Sequence, residues 1–129
     1  RRILGEAHPS TLDSMSHLAH TLYRQGKWDE SASSHRRTLE IRRRVLGEEH
    51  PNTLVSMNNL GLALRDEGKW AEAEKLHRRA LELQLSLLGE EHPNTLASMS
   101  NLANAVSDQG KLSEAEKLYR RALEIQRRV

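Results

Sequence analysis

Residues 88–96 of the chain have the sequence LGEEHPNTL. The same nine residues stand forty-two positions earlier, at 46–54, and a slightly altered copy, LGEAHPSTL, stands at 4–12. Each copy joins a helix stop to a helix start, because glycine favours the left-handed conformation that ends a helix and proline is favoured at a first helical position. A fixed period of this length is typical of repeat proteins.

Each unit contains two amphipathic helices separated by a Gly-Lys turn. In the first unit, apolar residues spaced three and four apart predict one helix over about 9–25 and a second over about 28–46. The pattern recurs, and it predicts second helices over about 70–88 and about 112–129 in the next two units.

The predicted organisation is a single array. Residues 1–4 align with the end of a unit, and three repeats follow at 5–46, 47–88 and 89–129. Since the first residues match the end of a second helix, we expect the sequence to be a fragment of a longer array.

The second helix of each unit is apolar on two sides. In the second unit one stripe consists of Ala73, Leu76, Ala80, Leu83 and Leu87, and the other of Trp70, His77, Leu81 and Leu88. Such a helix lies between two neighbours, so we expect contacts with the first helix of its own unit and with the next unit. The first unit has Ser31, Ser34 and Thr38 where the second has Ala73, Leu76 and Ala80. It is therefore predicted to be the least stable.

The composition argues against several classes of protein. Among 129 residues there is no cysteine, which excludes disulfide frameworks, zinc–cysteine sites and thiol catalysis. No apolar run approaches the ~20 residues that a membrane helix needs. We expect a cytoplasmic protein that does not bind membranes.

Metal binding and catalysis are not expected. His8, His50 and His92 recur one repeat apart, too far to share an ion whose ligands lie at ~2 Å, and are expected to cap or brace the loop before each proline. His17 and His20 are three residues apart, but two ligands are too few for a structural site. No phosphate loop, nucleophile elbow or zinc-protease helix is present, so we predict no enzyme, no cofactor and no metal.

Arginine pairs recur at 36–37, 78–79 and 120–121. Glutamates lie nearby on the same helices, and no aromatic ladder accompanies the arginines for base stacking. A salt-bridged, solvated face is therefore favoured over a nucleic-acid interface.

The packing residues resemble a tetratricopeptide repeat. The pattern is carried by Met57, Leu60, Gly61, Leu64, Gly68, Ala73, His77 and Ala80. Methionine stands where the family usually has tryptophan, leucine stands where it has tyrosine, and the period is forty-two residues instead of thirty-four. The longer period is similar to the subclass found in kinesin light chains. It resembles still more the arrays of NOD-like, NB-ARC-type proteins of fungi and bacteria. The resemblance implies an all-α, right-handed superhelical solenoid of antiparallel helix pairs.

In this family the first helix of each unit lines the concave side, where ligands bind. By analogy the concave, peptide-binding positions are Asp13, Ser16, His20, Tyr23, Arg24, Val55, Asn58, Leu62, Arg65, Asp66, Ala97, Ser100, Asn104, Ser107 and Asp108. Most of them differ between units, whereas the packing residues scarcely change. A rigid frame with a variable inner face would suit selective binding. The same variation would also arise if these positions were free of packing constraints and their sequence drifted.

Asparagines favour binding because a side-chain amide both donates and accepts, and so can pair with a peptide backbone. Asn58 and Asn104 are assigned to this role, whereas for Asn59 and Asn101 we favour a role in holding neighbouring helices together.

Chaperone-binding members of the family clamp a terminal carboxylate with lysine and asparagine. Only Asn104 matches that set, because Ser16, Asn58 and Ser100 stand at the lysine positions and His20 and Leu62 at the other asparagine positions.

The predicted function is a protein–protein interaction scaffold that binds a protein or peptide on the concave face. The near-identity of the second and third units favours the sensor and scaffold region of a NOD-like NTPase. The alternatives are a cargo adaptor like that of kinesin light chains and a module that assembles head to tail through exposed ends.

Overall fold

A computed structural model describes residues 8–128 of the chain. They form six α-helices, α1 (Pro9–Arg24), α2 (Trp28–Leu46), α3 (Pro51–Asp66), α4 (Trp70–Leu88), α5 (Pro93–Asp108) and α6 (Leu112–Arg128). Consecutive helices pack on one another, and α3 also contacts α5. The predicted helices are confirmed to within a residue, while residues 1–4, the start of the first repeat and Val129 lie outside the described part.

The loop before each first helix is held by its histidine. The Nδ1 atoms of His8, His50 and His92 each accept a hydrogen bond of 3.1 Å from the backbone N–H two residues later. This satisfies one of the donors that every helix start leaves unpaired. Gly47 and Gly89 end the preceding helices with φ of 93° and 86°, a region that a side chain rarely adopts. The histidines therefore cap helices, as expected.

The second helix of the middle unit lies between two neighbours. Helix α4 packs on α3 of its own unit and on α5 of the next, and both stripes contribute buried residues, among them Ala80, Leu83, His77 and Leu81. The two-sided packing that the sequence predicts is therefore present.

Three residues of these stripes are exposed, contrary to prediction. Trp70 is the first residue of α4, and its indole N–H donates to the carbonyl oxygen of Arg65 at 3.2 Å, so the ring remains at the turn. Leu87 and Leu88 end the same helix and are also exposed. They line a groove described below.

Gly61 makes room for a buried histidine. A Cβ atom at this position would lie 2.6 Å from two ring atoms of His77, which is closer than real contacts allow. The imidazole therefore packs directly on the backbone of α3, a closer approach than an alanine at position 61 would permit.

Ion pairs repeat with the period of the sequence. The first arginine of a pair reaches the next unit, in Arg36–Glu72 (3.0 Å) and Arg78–Glu114 (2.9 Å). The second reaches the acidic loop of its own unit, in Arg79–Glu48 (2.6 Å) and Arg121–Glu90 (2.7 Å). Such exposed pairs each stabilise by at most about 1 kcal/mol, so they orient the units more than they stabilise them.

The first unit differs in its core. Ser31 and Thr38 are fully buried, and their hydroxyls donate to the carbonyl oxygens of Ala19 (2.8 Å) and Ser34 (2.9 Å). These bonds offset the cost of burying the hydroxyls, but they do not replace the apolar area that Ala73, Leu76 and Ala80 supply in the second unit.

We therefore expect lower protection from amide hydrogen exchange in α1 and α2 than in α3 and α4. Replacing a buried leucine by a small polar residue removes about 1.5–3 kcal/mol of burial, and local opening follows local stability. Exchange measured by NMR at neutral pH checks this. Equal protection in the two units would contradict it.

Candidate functional site

A groove of about 610 Å³ runs between the first helices of the second and third units. Its walls come from α3 with Val55, Asn59 and Leu62, from α5 with Ala97 and Asn101, and from the end of α4 with Leu87 and Leu88. Val55, Leu87 and Leu88 are exposed. Apolar side chains that remain exposed inside a concave surface are typical of a site that a partner covers.

Two amides in this groove have no hydrogen-bond partner among the described residues. Asn59 and Asn101 occupy the same position in successive units, line the groove, and make no side-chain hydrogen bond within residues 8–128. The interpretation that they hold neighbouring helices together is therefore wrong. Their donors and acceptors are available to a ligand.

Asn58, in contrast, belongs to a buried polar chain between two units. His77 Nδ1 donates to Asn58 Oδ1 (2.8 Å), and Asn58 Nδ2 donates to Ser98 Oγ (2.9 Å). Ser98 in turn donates to the side-chain oxygen of Gln84. Asn58 borders the groove, but its amide is committed to fixing α5 on α3 and α4.

Burial controls the protonation of His77, the histidine of this hydrogen-bonded series. Desolvation, with the Arg65 charge adding to it, lowers the pKa of His77 to about 4. The ring is therefore neutral near pH 7, and its proton lies on Nδ1, which donates to Asn58 Oδ1.

The junction between the first and second units lacks this series of hydrogen bonds. Ser16 stands where the second unit has Asn58, and its Oγ and the Nδ1 of His35 are both buried without a hydrogen-bond partner. Arg42 replaces Gln84, and it donates to Ser56 Oγ (2.9 Å) and to Asp13 Oδ1 (3.2 Å). Asp13 and Ser16 therefore lie at a unit junction.

Several other predicted binding residues also join units. Arg65 forms a two-pronged ion pair with Asp108. A hydrogen bond to Asp66 raises the pKa of Tyr23, which occupies the same repeat position as Arg65. Each of these pairs links the end of one first helix to the end of the next. These side chains, which were predicted to bind a partner protein, instead bind a neighbouring unit of the same chain.

The remaining predicted residues are dispersed. Asn104 accepts a hydrogen bond from the hydroxyl of Tyr119, and the ring of His20 lies 5.3 Å from that of His35. Arg24 is exposed, Ser100 is half-buried, and Leu62 is half-buried at the groove. Of the fifteen concave positions predicted above, the groove brings together Val55, Asn58, Leu62 and Ala97.

A second hollow, of about 640 Å³, lies at the turns of the first two units and is lined by charged residues. Burial and a hydrogen bond to Asp29 raise the pKa of Glu67 there. Within residues 8–128 no group of three or more histidine or acidic side chains could hold a metal ion. In the same range no helix has both the length and the apolar character to cross a membrane.

The family model for the tetratricopeptide repeat matches residues 10–83 and 57–128. The chain belongs to the tetratricopeptide-repeat family. The predicted all-α solenoid of antiparallel helix pairs is confirmed. Tetratricopeptide repeats are generally scaffolds for protein–protein interaction and not enzymes.

Solved tetratricopeptide-repeat structures have the same fold. A kinesin light chain candidate from Podosopora anserina, built of nearly identical TPR-like repeats, is 32% identical with a TM-score of 0.88 over 96% of this chain and 58% of its own. BtubC (BKLC) from P. vanneervenii is 26% identical, with a TM-score of 0.85 over 92% of this chain and 47% of its own. The chain therefore spans about half the length of these structures. Comparison with curated proteins gives no significant match.

We expect Ser16→Asn to stabilise the protein. The new amide would give the buried Nδ1 of His35, which has no partner among the described residues, an acceptor and would donate to Ser56, and each satisfied bond contributes about 1 kcal/mol. Urea unfolding checks the expected gain of about 1–2 kcal/mol. Ser100→Asn is the matched control, because the described chain has no serine of a following unit for it to reach. A gain no larger than that of the control would contradict the prediction.

The free energy of unfolding is also expected to fall as the pH is lowered from about 6.5 to about 4. Burial lowers the pKa of both His35 and His77 to about 4, so in this window the unfolded chain binds protons that the folded chain does not. Each histidine contributes a slope of up to about 1.4 kcal/mol per pH unit, and neither contributes above pH 6.5. Urea unfolding of wild type and His77→Gln across this window should give a shallower slope for the variant, and equal slopes would refute the assignment.

Proposed function

We propose that the chain is a protein–protein interaction scaffold that binds an extended, apolar peptide segment of its partner in the groove between α3, α4 and α5. The observation that carries this proposal is the pair of unpartnered amides, Asn59 and Asn101, beside exposed Val55, Leu87 and Leu88. Backbone-binding groups and apolar pockets are the two parts that recognition of an extended peptide needs.

The spacing of the amides suits an extended chain. Helices α3 and α5 are in contact, and packed helices lie about 8–10 Å apart. An extended peptide rises about 3.3 Å per residue, so about three residues of it span two packed helices. Each amide can pair with a backbone group whatever the side chain is, and the side chains between them can cover the leucines of α4.

The charges of the groove restrict the ligand. Its described lining includes Glu49 but no lysine or arginine, so neither residue type is there to neutralise a terminal carboxylate. This supports a neutral internal segment, or one with a basic residue near Glu49. The earlier assignment of Arg65 and Asp108 to binding becomes less favourable, because their charges neutralise one another.

The cellular role is best supported as a kinesin-light-chain-like adaptor. The solved structure from P. anserina, which is 32% identical, carries the name of a kinesin light chain. Neither of these structures is named as a NOD-like protein, so the sensor role in a NOD-like NTPase stays a prediction without their support.

Selection of peptides from a random display library tests the groove. For selected peptides we expect Asn59→Ala with Asn101→Ala to weaken binding at least about tenfold, since two hydrogen bonds of about 1 kcal/mol each are lost. Leu88→Arg should weaken it further by placing a charge in the apolar wall. Isothermal titration calorimetry measures both.

Leu85→Arg is the control, because Leu85 is exposed on the same helix outside the groove lining. The other two units carry Arg43 and Arg127 at that position. Equal affinities for Leu85→Arg and Leu88→Arg, or no loss with the two asparagines removed, would contradict the proposal.

A further inference from the structure

Glu49 is a carboxylate of the groove that has no cationic partner among residues 8–128. It is exposed and belongs to the groove lining, and its side chain forms no ion pair or hydrogen bond in that range. Its neighbour Glu48, in contrast, pairs with Arg79 at 2.6 Å and with Arg43 at 3.7 Å. Of the two adjacent glutamates in this loop, the unpaired one is therefore the one that lines the groove.

The next unit shows which contact is missing. There Arg128 of α6 pairs with Glu90 at 3.0 Å and with Glu91 at 3.9 Å, and Glu91 occupies the repeat position of Glu49. The residue of α4 at the repeat position of Arg128 is Ser86, which is exposed and carries no charge. The repeat therefore accommodates a guanidinium beside this loop, and the second unit does not supply one from its own helix.

We propose that the peptide bound in the groove carries an arginine, whose guanidinium pairs with Glu49 in place of the arginine that α4 lacks. This inference rests on the proposed function, since it requires a peptide between α3, α4 and α5. The described lining contains no other aspartate or glutamate and no lysine or arginine, so no residue of these types there competes with Glu49 or repels the ligand. Arginine suits the site better than lysine because its planar fork donates to both oxygens of one carboxylate.

The position of Glu49 also restricts where the arginine lies in the peptide. Glu49 precedes the first residue of α3, whereas Asn59 lies near the middle of that helix. We therefore expect the arginine at one fixed position, toward the end of the peptide that lies beside the start of α3.

Selection of peptides from the display library against wild type and against Glu49→Gln tests the pairing. The substitution removes the charge of an exposed side chain and keeps its size. Against wild type we expect arginine at one position of the selected sequences. Against Glu49→Gln we expect the apolar positions to persist and the arginine to be lost. Selected sequences that show no such difference would overturn the inference.

Calorimetry on one selected peptide, with its arginine or with glutamine in that place, measures the pair directly. For the arginine peptide we expect Glu49→Gln to weaken binding about two- to fivefold, as for a partly exposed ion pair. For the glutamine peptide we expect no change. Ser86→Arg should weaken the arginine peptide by a similar factor, since it would supply a guanidinium to Glu49 from α4.

Glu91→Gln is the matched control. It removes the same charge at the same repeat position, where Arg128 already pairs with the carboxylate, and it lies outside the described groove lining. The affinity of both peptides should be unchanged by it. Equal losses of affinity for the two peptides with Glu49→Gln, or a loss with Glu91→Gln as large as that with Glu49→Gln, would overturn the inference.

The two proposals fail in different ways. If no peptide is selected, or if the selected peptides bind equally well after Asn59→Ala with Asn101→Ala, both the proposed function and the arginine pairing are wrong. Binding that depends on the two asparagines and is unaffected by Glu49→Gln would overturn the arginine pairing alone.

Discussion

The double burial of the second helices α2 and α4 is the constraint on which the rest of the structure depends. Helix α4 contacts a first helix on either side, and neither contact alone would cover its two apolar stripes. A tetratricopeptide repeat is therefore stable only beside another repeat. The sequence meets this requirement with small residues at the tightest places, of which Gly61 beneath the ring of His77 is the closest.

Polar residues fix the register of this stacking. An apolar face alone tolerates sliding and rotation, whereas the chain from His77 through Asn58 and Ser98 to Gln84 requires each unit to sit in one position. The first junction uses Arg42 for part of this role. Side chains that hydrogen-bond to a neighbouring unit are not available to a ligand. The groove therefore offers a ligand the amides that make no contact of this kind.

Local signals explain why the helices were predictable and the site was not. Glycine, histidine and proline set the helix ends within a few residues of sequence, so their positions follow from the repeat itself. Whether Asn58 or Asn59 faces a partner depends on how one helix is rotated against the next unit. The exposure of Leu87 and Leu88 likewise depends on how α3 and α5 pack beside the end of α4. The recurrence of asparagine at positions 59 and 101 was the available signal for the groove.

The central claim is that stacking commits the amide of Asn58 and leaves those of Asn59 and Asn101 free. Hydrogen exchange of the side-chain amide protons, resolved by NMR, measures this most directly. The account predicts slow exchange for Asn58 and fast exchange for Asn59 and Asn101. Fast exchange at Asn58, or protection of Asn59 and Asn101 equal to that of Asn58, would contradict it.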